Sequence, residues 1–485
     1  MEVRLNESFT QEIPAIPSAC PLTIISNRAP YQIKKNSGQL TCEKNAGGLV
    51  SVLDEILCQA GGTWIAWGEK EGAPSRVEIP LDKPKYALRL IRLAEQEVQN
   101  YYHGFSNRIL WPLSHYFLDR CRFRAEYWSA YQAVNQKFAA AFRAGCKDQD
   151  LVWIHDFHLT LLPGFLRKER ANLSIGFFWH IPFPASPVFR VLPWREEILK
   201  GLLGSDLIGF HLPLHAGHFL QCVEDVLEVP VDRGSGSIRY DGRVIKVSAF
   251  PVGIDFHKWD DLACSAPVRE KARQMRDEMG IKYVLLGVDR LDYTKGILER
   301  LLAYERFLEK YHEFHRQVCL IQIAVPSRTR VDEYRSLRRE IDEAIGRITG
   351  RFSTRKWIPL RYLYQSFAME DVASYYLAAD LALITPLRDG MNLVAKEYVA
   401  CRREEDGSLI LSEFTGAAAT LTEAILVNPY NVEGLADTIR RSLCMSVEEK
   451  GRRMKVLRQR VKERDVYWWC ESFLKDLSCV GGDRP

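Results

Sequence analysis

The side chains best suited to chemistry lie in two stretches of the second half of the sequence. Asp289-Arg290-Leu291-Asp292-Tyr293-Thr294-Lys295-Gly296 follows an apolar run, Tyr283 to Val288. Thr385-Pro386-Leu387-Arg388-Asp389-Gly390-Met391-Asn392-Leu393-Val394-Ala395-Lys396-Glu397-Tyr398 follows another, Ala379 to Ile384. Each reads as a buried strand, a tight loop and a helix, with Pro386 and Gly390 marking the second turn. A helix that starts at Asn392 points free N–H groups and a partial positive charge beyond the strand end, where phosphate is readily held. Arg290 and Lys295 add two fixed cations that suit a pyrophosphate. Asp389 sits in the loop and Glu397 eight positions on, a separation of ~12 Å along a helix. That span fits a sugar at one end, a ribose at the other and a pyrophosphate between. Asp389 would take the sugar hydroxyls, the N–H groups near Asn392 and Leu393 the phosphate, and Glu397 the ribose. An ordinary loop and a solvated helix face is the plainer account of one such carboxylate. The density of special residues here argues against it.

The first half carries a second set. The strand Leu22 to Ser26 ends in Asn27-Arg28, and Asn45-Ala46-Gly47-Gly48-Leu49-Val50 opens a helix through Ile56. A glycine pair at such a turn is friendly to anions, but it is not the dinucleotide fingerprint. Tyr101 to Phe105 leads into Leu110-Trp111-Pro112. Aromatics this dense are core formers, while Tyr102 and Trp111 could also stack on a sugar face. Val152-Trp153-Ile154-His155-Asp156 and Ile175-Gly176-Phe177-Phe178-Trp179-His180 are apolar runs that end in polar groups. In open parallel sheets ligands sit outside the carboxyl ends of strands, so Asp156 and His180 stand where chemistry would be placed. A capping Asp and a core His are the plainer readings.

His211, His215 and His218 have spacings that a metal site could use, but Pro213 interrupts and no acid or Cys completes a set. A solvated helix start is the expectation there. His312-Glu313-Phe314-His315 lacks the H-E-x-x-H spacing.

A chain of 485 residues is too long for one ordinary core and suits two large α/β domains. Hydrophobic residues at 47% exclude a disordered chain, and a net charge of +4 is too mild to argue for nucleic acid or a membrane surface. Twelve dispersed cysteines without a C-x-x-C pair read as a reducing, cytoplasmic setting. No signal peptide or apolar run of membrane-spanning length is visible. Residues 1–20 read as a flexible lead-in. The α/β alternation restarts beyond Pro251-Val252-Gly253-Ile254-Asp255, giving domains over 21–250 and 251–464. Val466, Trp469, Phe473 and Leu477 keep helical spacing, so 465–485 reads as a helix packing back on the first domain. The expected architecture is two doubly wound Rossmann-like domains facing across a cleft. With neither a P-loop nor a complete Rossmann fingerprint, a nucleotide hydrolase and a nicotinamide dehydrogenase are argued against.

From about Leu22 to Leu477 the chain resembles the trehalose-6-phosphate synthases, retaining glycosyltransferases of the GT-B fold. The resemblance rests on Ser26-Asn27-Arg28, Gly47-Gly48-Leu49, Tyr102 with Trp111, Trp153-Ile154-His155-Asp156 and His180-Ile181-Pro182-Phe183-Pro184. It continues through Arg290 to Gly296, Ser327-Arg328 and the stretch after Ile384. The family implies transfer of glucose from a nucleotide sugar, usually UDP-glucose, to glucose 6-phosphate. Carried over, Arg28 and Arg328 clamp the acceptor phosphate with help from Tyr102, and Trp111 and Asp156 position the acceptor sugar. Gly48 lets the backbone approach the donor phosphates, which Arg290 and Lys295 hold. His180 and Asp389 grip the donor glucose, with Gly390, Met391, Asn392 and Leu393 completing the donor loop and Glu397 taking the ribose. The implied mechanism is a front-face displacement in which the departing phosphate takes the acceptor proton. Asp156, His180, Arg290, Lys295 and Asp389 are then the catalytic set. Retaining glycosidases instead need carboxyls ~5 Å apart, and Asp389 and Glu397 are too widely spaced for that. No metal and no cofactor is expected if the two cations neutralise the leaving group. The expected ligands are a nucleotide sugar and a sugar phosphate, the product passing to a separate phosphatase; homo-oligomerisation is left open.

Gly209-Phe210-His211-Leu212 stands where these synthases usually have Gly-Phe-Gln-Thr. With Leu192-Pro193-Trp194-Arg195 it is more like the glucosylglycerol-phosphate synthases, relatives that use ADP-glucose and glycerol 3-phosphate. Arg28, Tyr102 with Trp111, and Arg328 favour the sugar phosphate. A catalytically silent sugar-phosphate sensor is the reading of another class, and the intact set Arg290, Lys295, Asp389 and Glu397 speaks against it.

Overall fold

A computed structural model describes residues 21–36, 39–44, 48–68, 74–146, 151–328 and 332–482. The lead-in expected over 1–20 lies outside them, as do Asn45, Ala46 and Gly47. The chain divides into two compact units, one up to Phe250 together with the helix Val466–Gly482, the other Pro251–Asp465.

The first unit carries β1 (Leu22–Arg28), β2 (Tyr31–Asn36), β3 (Gln39–Lys44), β4 (Gly62–Trp67), β5 (Arg76–Ile79) and β6 (Tyr86–Ile91). It continues with β7 (Leu151–His155), β8 (Ser174–Phe178), β9 (Leu207–Phe210), β10 (Val231–Asp232), β11 (Ser237–Tyr240) and β12 (Arg243–Ala249). β2 and β3 form a separate antiparallel hairpin. The other strands make one sheet in the order β10-β11-β12-β9-β8-β7-β1-β4-β6-β5, parallel from β12 to β6 and antiparallel only at its edges. From β1 the chain steps one way through β4 and β6. It then returns to β7 on the other side of β1 and steps outward through β8, β9 and β12. Right-handed crossovers taken in two directions place helices on both faces, so the sheet is doubly wound and its order reverses between β1 and β7.

The second unit repeats this logic with β13 (Tyr283–Arg290), β14 (Val318–Val325), β15 (Leu360–Leu363), β16 (Leu381–Ile384), β17 (Ser408–Ser412) and β18 (Ile425–Val427). All are parallel, in the order β15-β14-β13-β16-β17-β18, and the reversal falls between β13 and β16. The sequence explains the central strands. β7 and β16 are buried at every position, as strands covered on both faces must be, and they read as unbroken apolar runs.

The C-terminal helix buries Trp469, Phe473 and Leu477 completely. A side chain at Gly176 of β8 or Gly209 of β9 would come within 2.8 Å of Phe473. Glycine at both positions lets this helix lie directly on the sheet. The polar stretch after Arg28 folds as the β2–β3 hairpin, which its composition did not announce. Val98–Leu110 forms a π-helix, a rare geometry that recurs at functional sites.

Candidate functional site

In each unit the residues singled out from the sequence gather at the point where strand order reverses. In the first unit Arg28 ends β1 and Asp156 follows β7. An Arg28 Nη donates to Tyr102 Oη at 2.9 Å, and the guanidinium lies 5.2 Å from the Tyr102 ring centre. The π-helix brings Tyr102 there. Its neighbour Tyr101 is fully buried and donates to Asn27 Oδ1, tying that helix to the end of β1. The far side of Tyr102 stacks on His158, ring centres 5.8 Å apart. His158 Nδ1 in turn lies 3.8 Å from Asp156 Oδ2.

Asp156 holds φ +76° and ψ 163°, a conformation that costs a non-glycine residue about 1–3 kcal/mol and persists only where the surroundings enforce it. The enforcing bonds are visible. Its N–H donates to Phe178 O, and its Oδ1 accepts from Phe157 N at 2.9 Å and His180 N at 3.2 Å. The carboxylate thus bridges the ends of β7 and β8 while Oδ2 faces His158. It is a capping Asp, and one placed at the switch point. Trp111 is buried at 5% exposure, its ring 6.0 Å from that of Phe157. His180 is half-buried, and burial with His155 and His158 nearby holds it well below the usual histidine range, so it is neutral. Its carbonyl lies 3.0 Å from His211 Nε2. His211 and His215 are buried, at 2% and 6% exposure. The solvated helix start expected at these histidines is therefore wrong, because His211 is spent on supporting His180. Gly48 opens the helix Gly48–Ala60.

In the second unit Arg290 is the last residue of β13, two positions beyond the strand end read from the sequence. Lys295 Nζ lies 2.5 Å from Asp389 Oδ2, whose same oxygen accepts from Asn392 Nδ2 at 3.1 Å. The expected phosphate cation and the expected sugar carboxylate are therefore partners here. The two loops that carry them are sewn together by Leu387 N–H donating to Thr294 O at 2.8 Å. Gly296 has φ +62°, and a Cβ there would lie 2.2 Å from Thr385 O, so only glycine fits between the loops. Beneath them, fully buried Arg300 donates to Thr385 Oγ1, Asp289 Oδ2 and Gln322 Oε1.

Asn392, at φ +73°, caps the helix Leu393–Cys401 by accepting from Ala395 N–H at 3.1 Å. The N–H groups of Met391, Asn392 and Leu393 donate to no group among the described residues. Met391 O instead accepts from Ala417 N–H, and a side chain at Gly416 would strike Gly390 O. This loop is an open cradle of donors.

Arg328, at φ +47°, donates to Asp292 Oδ2 at 3.0 Å and to Tyr334 Oη. Burial acts to raise Asp292, but Arg328, Arg290, Lys295 and the Thr294 N–H outweigh it and hold the group below the usual carboxylate range. The cations around it thus keep Asp292 ionised in spite of its burial. Glu397 is half-buried, its Oε2 accepting from Tyr376 Oη at 2.8 Å. Burial pushes it up to about 7. It does not lie on the solvated helix face that the plainer account would give it. Four partners were missed from sequence: His155, His158, Tyr334 and Tyr376. His155 and His158 bracket Asp156 and were visible as residues, but their pairing with residues far along the chain was not. Asp292 was seen and given no role.

The model of glycosyltransferase family 20 matches residues 21–479. A trehalose-6-phosphate synthase of Mycolicibacterium vanbaalenii is 42% identical over 467 residues, 94% of this chain and 95% of its own length. Among solved structures, the chain is similar to the trehalose-6-phosphate synthase from E. coli bound with UDP-2-fluoro glucose. The TM-score is 0.87 at 36% identity, covering 94% of this chain and 98% of that one. It is also similar to an α,α-trehalose-phosphate synthase (UDP-forming) from Burkholderia xenovorans in complex with glucose-6-phosphate. There the TM-score is 0.86 at 33% identity, covering 94% and 100%.

Proposed function

The chain belongs to glycosyltransferase family 20, and from that membership we propose that it moves glucose from UDP-glucose to glucose 6-phosphate with retention, releasing UDP and α,α-trehalose 6-phosphate. The observation that carries the reading is the convergence of Arg290, Lys295 and Asp389 on the switch point of the Pro251–Asp465 unit. That is where an open α/β sheet binds ligands. Arg290 and Lys295 take the pyrophosphate, the N–H groups of Met391, Asn392 and Leu393 reinforce them, and Glu397 accepts from the ribose. Gly48 lets the backbone approach the donor phosphates. Asp389, released from Lys295 when phosphate arrives, grips the glucose with His180. Arg28, Tyr102 and Arg328 hold the acceptor phosphate, and Trp111 and Asp156 orient the acceptor sugar.

In the reaction the bond from the glucose anomeric carbon to the UDP oxygen breaks. The acceptor hydroxyl oxygen bonds that carbon on the same face, and its proton passes to the departing phosphate oxygen. Negative charge grows on the leaving diphosphate, so cations already in place lower the barrier without having to move. Neutral His180 offers a hydrogen bond to the sugar without repelling the positive charge that builds on it.

The test is to incubate the protein with UDP-, ADP- or GDP-glucose against glucose 6-phosphate or glycerol 3-phosphate and to weigh the products. Trehalose 6-phosphate formed with UDP-glucose is the expected result. A glycerol-linked product would move the reading to the glucosylglycerol-phosphate relatives, and no transfer with any pair would favour a sensor. The dispersed thiols fit a cytoplasmic setting, and the phosphate ester of the product fits a separate phosphatase as the next step.

A further inference from the structure

His155 ends β7, one residue before Asp156, and is 3% exposed. Its Nδ1 lies 3.0 Å from His180 Nε2. Two ring nitrogens at that distance share one hydrogen, so one ring donates and the other accepts. Both rings are neutral. Burial pushes His155 down to about 3 and, with His155 and His158 beside it, holds His180 well below its ordinary value. A neutral imidazole carries one N–H, so the direction of this bond fixes the tautomer of both residues.

The surroundings decide the direction. His155 Nε2 is buried and has no hydrogen-bond partner among the described residues. The ring centres of Trp153 and Trp469 lie 4.7 Å and 6.3 Å from that of His155. Their indole nitrogens are also buried without a partner among the described residues, and an indole N–H can only donate. If His155 accepted at Nδ1, its hydrogen would sit on Nε2 and become a third buried donor with nothing to receive it. Orphaned buried N–H groups are rarer than under-used acceptors. If His155 donates at Nδ1, Nε2 keeps only a lone pair and adds no further orphaned donor to the two indole N–H groups already there. The second arrangement is therefore the stable one. Asp156 takes the backbone N–H of His180, and His211 Nε2 meets its carbonyl. His180 Nδ1 bonds to none of the described residues.

We propose that His155 is a positioning residue: its Nδ1–H holds His180 in the tautomer with hydrogen on Nδ1, so that His180 meets the transferred sugar as a fixed hydrogen-bond donor and not as a base. The sugar contact rests on the function proposed above; the tautomer does not. Trp469 comes from the C-terminal helix, so that helix also forms part of the wall that sets this polarity.

The experiment is a two-bond nitrogen–proton correlation spectrum of the full chain with its 11 histidines labelled with nitrogen-15. The His180 signals are assigned by their loss in His180→Gln. The expected pattern is hydrogen on Nδ1, and hydrogen on Nε2 overturns the proposal. In His155→Leu the fixed pattern should give way to a mixture, with the KM for UDP-glucose rising about tenfold and kcat moving less. His155→Asn, whose amide can donate from near the lost Nδ1, should restore both. A His180 pattern unchanged in His155→Leu overturns the proposal; should that variant fail to fold, the wild-type and His155→Asn spectra decide. The spectrum needs no substrate. An Nδ1–H pattern with a donor KM unmoved in His180→Gln would leave the tautomer standing and remove only the sugar contact.

Discussion

Arg328 shows how a single side chain can be kept ready for an anion. It donates to Asp292, a carboxylate that Arg290 and Lys295 also stabilise, and in the proposed function it takes the acceptor phosphate. Arg328→Ala is expected to raise the KM for glucose 6-phosphate by roughly 10- to 100-fold, the size of a lost charge-assisted bond of about 1.5–3 kcal/mol. The KM for UDP-glucose should change less than about threefold. Steady-state kinetics with each substrate varied in turn checks this, and an equal loss for both would refute the assignment. Arg328→Lys should recover only part of the effect, since an ammonium is a point charge without the guanidinium fork. Glu397 gives a pH test. Its carboxyl is raised to about 7 by burial, so it is ionised above that pH and protonated below it. A ribose held by the carboxylate is bound fully at high pH and progressively lost as pH falls through 7. Calorimetric affinity for UDP-glucose alone should therefore weaken up to about tenfold from pH 8 to pH 6. In Glu397→Gln the affinity should be lower and flat with pH. Omitting the acceptor matters, because the second pKa of its phosphate lies near 6.

At the scale of elements, what positions these groups is the strand end and the loop behind it. Gly296 is the tightest point, with a positive φ and no room for a Cβ against Thr385 O. Gly296→Ala should push the loop of Lys295 away from that of Asp389, weakening UDP-glucose binding at least tenfold by calorimetry. In the other unit, Trp469→Ala should open a cavity between the C-terminal helix and β7, costing about 3–5 kcal/mol, visible as a lower melting temperature. The contrast between these elements explains what the sequence could reveal. β7, β8, β13 and β16 are buried on both faces and announce themselves as apolar runs, so the residues at their ends could be read directly. β5 and the β2–β3 hairpin carry polar, partly exposed residues and left no such trace. The π-helix Val98–Leu110 has no period of its own that a sequence reading looks for, so Tyr102 was noticed for its type and not for its place. The pairings of Lys295 with Asp389 and of His155 with His180 join residues 94 and 25 positions apart. Only strand order brings such residues together, and the order is set by crossovers that no local pattern records.

Across the whole molecule the same topology is used twice, and each copy gathers a different chemistry at its reversal point. In the unit ending at Phe250 the gathered groups are one exposed Arg, a phenol, the neutral His155 and His180 and a strained Asp, a set suited to a hydroxylated ligand with one phosphate. In the Pro251–Asp465 unit they are Arg290 and Lys295 near the carboxylates of Asp292 and Asp389, with a cradle of backbone donors beside them, a set suited to a diphosphate. This division of labour predicts where each ligand slows local opening of the backbone. Hydrogen exchange followed by mass spectrometry should show UDP protecting 289–296 and 387–397, with little change in 98–111. Glucose 6-phosphate should protect 98–111 and 155–158. Its one effect in the second unit should fall at 325–328 and the start of the helix that follows, because Arg328 is the acceptor contact proposed for that unit. The size of the effect is bounded by binding: at a hundred times the dissociation constant a ligand adds about 2.7 kcal/mol to any opening that breaks its site, roughly a hundredfold slowing of exchange. UDP protection centred on the first unit, or glucose 6-phosphate protection centred on 289–296, would overturn the assignment of donor and acceptor while leaving the fold untouched.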